Sequence, residues 1–295
     1  MPETADILKK IRRLELRTRR LVASVFAGQY HSVFKGRGMN FEDVRAYNPG
    51  DEVRFIDRNV TARTGDVHVK NFTEERELTV MLLVDVSASG GFGSVEQSKR
   101  ELAAEVASLL AFSAIGNRDK VGLLLFSDGV ELFLPPRKGR SHVLRLIREV
   151  LYYQPRGRRT DIAAALEYLN RVVARRSVVF LFSDFQAPDF SRPLAITSRR
   201  HDLVAVPVVD PLEETLPDVG RISLEDAETG AVYEVNTSDR RVRAGFGQAV
   251  AARRQTLAAV LRRARVDSIT LRTDADYLPA LRAFFLQRER RIARR

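Results

Sequence analysis

The chain contains no cysteine and no tryptophan, and only three methionines and four histidines among its 295 residues. Without cysteine it can build no disulfide framework, thiolate zinc site, iron–sulfur cluster or cysteine nucleophile. Long apolar runs are missing as well: stretches such as Val80–Val84 and Val178–Phe182 fall far short of the roughly 20 residues that cross a bilayer. Lys9, Lys10, Arg12 and Arg13 interrupt the stretch where a signal-peptide core would sit, so a soluble, cytoplasmic protein is expected. His31, His68, His142 and His201 are scattered without ligand spacing. Gly90–Gly93 does not make a G-x-G-x-x-G loop, and no G-x-x-x-x-G-K-[ST] occurs, which argues against nucleotide binding in this chain.

Positive charge is abundant. Lys and Arg number 49 against 38 Asp and Glu, a net of +11, and such a surplus first points to phosphate-bearing partners. Its distribution weakens that reading, because residues 1–20 carry +4, residues 282–295 carry +5, and the 261 residues between them only +2. No aromatic residues interleave with the terminal basic clusters, so a base-stacking surface is not indicated there.

Three segments are expected. Residues 1–27 read as a basic amphipathic helix with Ile7, Ile11 and Leu14 on one stripe. Residues 28–74, with Gly, Pro and alternating short strands, read as a small β-rich appendage without a helix. Asp51, Arg54, Asp57 and Arg63 are candidates for a charge network that docks it onto the rest. Residues 75–295 alternate apolar β-branched runs (Leu78–Val84, Val121–Phe126, Val178–Phe182, Leu203–Val209) with helical patterns near 95–115, 141–152, 161–174, 191–200 and 245–264. Nearly continuous apolar strands are covered on both faces, so this is an open, doubly wound, mostly parallel α/β sheet. Ser127-Asp128-Gly129 turns into an antiparallel edge strand from Val130, and 222–235 reads as a second hairpin. A last strand spans 268–272. The C-terminal helix has Asp276 as its N-cap and Leu278, Leu281 and Phe285 as its buried stripe, and Arg288–Arg295 form a basic tail.

Chemistry concentrates after the first buried strand. Asp85-Val86-Ser87-Ala88-Ser89 leaves its carboxyl end, which in an open α/β sheet is where ligands bind, at the point where strand order reverses. Ser94 with Gln97 forms an expected capping box for the following helix, leaving the Ser87 and Ser89 hydroxyls free. Thr160 heads one later helix and Asp184 follows a later strand. In a 3-2-1-4-5 strand order the strands before Asp85 and Asp184 are neighbours, and all five side chains can meet. Two carboxylates and three hydroxyls are hard oxygen ligands, suited to magnesium or manganese rather than zinc or copper. Mostly neutral ligands leave such an ion electrophilic, so it seeks an acidic oxygen from a partner.

This constellation, Asp85-x-Ser87-x-Ser89, Thr160 and Asp184, resembles the metal-ion-dependent adhesion site (MIDAS) of the von Willebrand factor A domain, over about residues 75–290. Upstream, Phe41-Glu42-Asp43-Val44-Arg45-x-Tyr47-x-Pro49-Gly50-Asp51-x-Val53-Arg54-x-Ile56-Asp57, with Ala62-Arg63 after it, is similar to a bacterial family of unknown function, the fifty-eighth in its series. Where that family commonly has Trp after Ile-Asp, this chain has Arg58. The resemblance implies association with MoxR-type AAA+ ATPases and a role as partner or adaptor in chaperone-like assembly.

The function expected is a non-enzymatic, metal-dependent protein-binding module that takes an acidic residue from an AAA+ ATPase or its client; no nucleophile–base pair stands in the sequence. A metal-assisted phosphohydrolase or nuclease built on Asp85 and Asp184, and a nucleic-acid scaffold held by the basic ends, are the alternatives.

Overall fold

The computed structural model describes residues 4–21, 33–34, 40–73, 77–95 and 97–293. The expected end of the first helix at residue 27, the start of the appendage, His31 and the final two arginines of the tail lie outside the described residues.

In chain order the elements are α1 (Thr4–Leu21), β1 (Asn40–Ala46), α2 (Arg58–Thr64), β2 (His68–Thr73), β3 (Thr79–Asp85), α3 (Lys99–Gly116), β4 (Lys120–Phe126), β5 (Val130–Arg137), α4 (Arg140–Tyr152), α5 (Ile162–Val172), β6 (Val178–Ser183), α6 (Ser191–Arg200), β7 (Asp202–Val209), α7 (Pro211–Glu214), β8 (Arg221–Glu225), β9 (Val232–Asn236), α8 (Arg240–Arg263), β10 (Asp267–Ser268), β11 (Leu271–Arg272) and α9 (Leu278–Ala293). The central sheet runs β10-β7-β6-β3-β4-β5, with β11 also paired to β7. All its pairings are parallel except β4–β5. The expected doubly wound sheet is therefore present, and strand order reverses between β3 and β6.

Alternation along β3 builds both layers. Val80, Leu82 and Val84 face a core made with Leu102, Leu109 and Leu110 of α3, Val143 and Ile147 of α4 and Leu281 and Phe285 of α9. Met81 and Leu83 face the other way, onto Leu166 and Leu169 of α5, Leu194 of α6 and Leu261 of α8. Burying each such side chain contributes about 1.5–3 kcal/mol, so the strand end that carries Asp85 is anchored from both sides.

Several expectations change. The box on Ser94 and Gln97 does not form: α3 starts later, with Ser98 and Glu101 capping each other reciprocally, because Ser94 is drawn to Asp210 instead. The segment 28–74 contains a helix after all, α2, which Asp57 caps through the Asn59 and Val60 N–H groups. Asp51 is bound by both terminal nitrogens of Arg45, at 2.7 Å each, so these two acids serve the appendage's own folding. The final strand is split into β10 and β11. Arg288 is not part of a free tail, since it pairs with Asp202 and Asp267 and lies over the Phe34 and Phe284 rings; Arg291 pairs with Asp267. At the other end, Lys10 and Arg17 meet Glu101 and Glu105 of α3, so internal carboxylates neutralise part of the basic charge of both ends. Among the described residues no helix is long and apolar enough to cross a membrane.

His201, only 1% exposed, accepts the Ser177 N–H at 3.3 Å. Burial, then the charges of Arg200 and Arg176, push its imidazole down to about 4 from the usual 6.5. The unfolded chain therefore takes up a proton near pH 6.5 that the folded chain refuses until about pH 4, so this residue costs stability as pH falls across that window. Thermal melts of the parent and of His201→Gln between pH 7 and pH 4.5 should show a shallower acid loss in the variant; parallel curves would exclude the effect.

Candidate metal centre

Asp85 closes β3 at the reversal of strand order, and the chain then leaves the sheet through Val86, whose N–H is held by the Phe126 carbonyl at 2.8 Å. Ser87 is extended and starts a single 3-10 turn, Ala88–Gly91, without capping it by its side chain. Its hydroxyl is therefore not spent on the cap. Ser87 Oγ and Ser89 Oγ stand 3.2 Å apart.

The Asp85 carboxylate organises the rest. Oδ1 accepts the Ser87 N–H at 2.9 Å. Oδ2 accepts the Ser183 hydroxyl at 2.7 Å and lies 3.3 Å from Thr160 Oγ1. Thr160 does not cap α5, because Asp161 does so through the Ala164 N–H. Its loop is clamped from below by Glu131 Oε1, which accepts the Arg156 and Gly157 N–H groups at 2.9 Å each. Gly157 is closely packed: a Cβ there would lie 1.8 Å from Asp128 Oδ1 and 2.5 Å from Ser127 Oγ, so those side chains would have to move for any larger residue. Asp128 itself sits in the tight turn between β4 and β5, where the Ser127 N–H meets the Gly129 carbonyl.

Asp184 reaches the same cleft by a sharp turn. Phe185 adopts φ 59°, left-handed for a non-glycine residue, a conformation that costs about 1 kcal/mol or more. It is held by its N–H on Ser183 Oγ at 3.0 Å and by packing on Phe190. The Asp184 carboxylate is not hydrogen-bonded to the other four expected residues. It is bound by Lys99 Nζ at 2.8 Å, and that ammonium also meets Glu213 at 2.5 Å. The cleft, about 280 Å³ including its open mouth, is lined by Asp85, Ser89, Lys99, Arg100, Ser183 and Asp184 among others.

Four neighbours of the site escaped the sequence reading: Ser183, Lys99, Glu213 and, from the turn between β8 and β9, Glu228, whose Oε1 lies 3.3 Å from Thr160 Oγ1. Lys99 left no signal in the sequence, which set the helix start at Ser94. It is the first residue of α3 and only 3% exposed, whereas a cation at a helix N-terminus opposes the helix dipole. Only a local surplus of carboxylates makes that position favourable.

The electrostatics show that surplus. Burial, then the charge of Asp184, push the Asp85 carboxyl up, against the hydrogen bonds of Ser183 and Ser87. Glu228, from the turn between β8 and β9, is also raised, by burial and by the charges of Asp184, Asp85 and Asp226, with the Thr160 hydroxyl opposing. Burial pulls Lys99 down, but Asp184 and Glu213 outweigh it and its pKa ends above the usual value. Thr160 Oγ1 lies 3.3 Å from both Asp85 Oδ2 and Glu228 Oε1, so its one proton serves one carboxylate at a time. Among the described residues no three acidic or imidazole side chains group as a metal site; the donors here are hydroxyls as much as carboxylates. Such hard, oxygen-only, net negative donors fit a small divalent cation.

Comparison with known proteins places these features in context. The family model described as "Protein of unknown function DUF58" matches residues 43–256. The uncharacterized protein Rv1480 of Mycobacterium tuberculosis is 36% identical over 283 residues, 95% of this chain and 89% of that protein. Among solved structures, the conserved hypothetical protein BatB from Bacteroides thetaiotaomicron is 16% identical at a TM-score of 0.45, over 74% of this chain and 100% of that one. Proximal thread matrix protein 1 from the mussel byssus, solved with a zinc-occupied MIDAS motif, is 16% identical at a TM-score of 0.38, over 45% of this chain and 38% of that one.

Proposed function

The chain belongs to the DUF58 family of proteins of unknown function, and from that premise we propose that the Asp85 cleft is a metal-dependent, non-enzymatic protein-binding site. The observation that carries this reading is the convergence of Asp85, Ser87, Ser89 and Thr160 at the reversal of strand order, with Asp184 in the same cleft. These five residues would hold magnesium or manganese, directly or through water. When bound, the ion supplies an electrophilic position for an acidic oxygen from outside.

The chain's own residues do the positioning. Ser183 and the Ser87 N–H fix the Asp85 carboxylate from two sides, and Lys99 holds Asp184. Hydrogen bonds on Asp85 and a buried ammonium on Asp184 hold both carboxylates in place, as a fixed binding site requires. The partner class, a MoxR-type AAA+ ATPase or its client, rests on the family resemblance of residues 41–63.

The test is a binding measurement with a purified MoxR-type ATPase, in magnesium, in chelator, and with Asp85→Ala. The parent should bind in magnesium and lose the ATPase in the other two conditions. Equal binding in all three would sink the metal bridge; no binding in any would remove this partner.

A further inference from the structure

Beside Thr160 stands a basic rim. The segment Arg156-Gly157-Arg158-Arg159 presents three exposed arginines, and the Glu131 clamp holds its backbone. Opposite it is the β8–β9 hairpin, a two-stranded sheet paired only within itself. Val232 and Tyr233 are 63% and 59% exposed, and an isolated two-stranded hairpin is marginally stable in water. Its tip is acidic: Glu225-Asp226-Ala227-Glu228.

That tip is seated on the rim. Arg158 Nη2 donates to the Ala227 carbonyl at 3.0 Å, and Thr160 Oγ1 lies 3.3 Å from Glu228 Oε1. Asp226 folds the turn by accepting the Glu228 and Thr229 N–H groups at 2.9 and 3.0 Å. Its carboxyl is lowered first by the Thr229 N–H, and Arg159 adds to the effect. A carboxylate on an acidic loop is thus presented to one of the hydroxyls that form the candidate centre.

We infer that the Arg156–Arg159 rim is a docking surface for an acidic segment of a partner, and that the β8–β9 tip, with Glu228 at Thr160, is an internal occupant that the partner must displace. The inference rests on the proposed reading of the Asp85 cleft as a site for an acidic side chain, and adds the second half of the recognition surface and its competitor. The dissociation constant for an external segment is divided by the fraction of molecules in which the tip is released. Freeing a tip that is docked about nine-tenths of the time therefore tightens binding about tenfold.

The probe is a fluorescein-labelled peptide with the sequence of residues 223–231, titrated by anisotropy against the full chain in manganese buffer. Glu228→Gln should bind it about tenfold more tightly than the parent. Adding Arg158→Ala and Arg159→Ala to that variant should abolish the gain. Equal affinity of parent and Glu228→Gln, or full binding by the variant that also lacks Arg158 and Arg159, overturns the inference. Manganese titration of the same samples separates it from the underlying reading. Normal ion binding with unchanged peptide affinity sinks this inference alone, whereas peptide competition without ion binding sinks the metal reading and keeps the competing tip.

Discussion

Asp85→Asn should abolish divalent-cation binding and leave the chelated protein at least as stable as the parent. Partners that merely support a metal ligand already cost about 10–100-fold in affinity when lost, so removing the charge of a central ligand should weaken magnesium or manganese by more than about 100-fold. The stability half follows from the raised pKa of Asp85. At neutral pH the folded state holds a buried charge that the unfolded chain carries more easily, so the ionised group destabilises the fold. That cost is relieved as pH falls through the raised folded value toward the ordinary 3.8. Asn removes the charge and keeps an oxygen for the Ser87 N–H, while Ser183 Oγ can accept from the new amide. Calorimetric cation titration together with melts in chelator tests both halves. Retained cation affinity would refute the ligand role, and a melting temperature several degrees below the parent in chelator would refute the electrostatic account. Cation binding to the parent should itself weaken in mild acid, because protons compete for the same carboxylate.

Lys99→Ala should destabilise by about 3–5 kcal/mol, the range for removing one partner of a buried ion pair. The loss leaves Asp184 and Glu213 facing each other without the ammonium that binds both. At about 2–4 °C per kcal/mol, the chelated protein should melt roughly 10 °C lower. Saturating magnesium should recover more stability in this variant than in the parent, because a cation in the cleft offsets part of the unpaired charge. Lys99→Arg keeps the charge but not the compact geometry, and should fall between. A variant that melts within about 1 °C of the parent, or gains no more from magnesium than the parent does, would show that Lys99 is not the counter-charge of this site.

The legible part of the fold was the part written in period-two and period-3.6 patterns. The runs ending at Val84, Phe126, Phe182 and Val209 became β3, β4, β6 and β7 within a residue at those ends, since a strand covered on both faces has no polar positions to blur its limits. Asp85 and Asp184 could be placed at one end of the sheet because strand ends are legible and switch points follow from strand order. Local choices between equivalent signals were not. Ser94 and Ser98 are both good caps, and only Asp210, 116 residues from Ser94, decides that Ser98 takes the role. Thr160 and Asp161 are adjacent cap candidates, and the pull of Asp85 and Glu228 on Thr160 separates them.

By itself, then, the amino-acid order determined the doubly wound α/β sheet, the hard-oxygen character of the donors, and the loops and helix starts from which they would come. Those properties depend on residue type and on spacing within one element. Tertiary structure alone decided the electrical state of the site. The Lys99 ammonium lies between carboxylates from 184 and 213, Arg288 and Arg291 of the C-terminal helix pair with Asp202 and Asp267, and the acidic tip at Glu228 rests against Thr160. Each of these depends on charges that are distant in the chain and meet in a low-dielectric cleft, where a few ångströms set the sign and size of an interaction that no local pattern encodes.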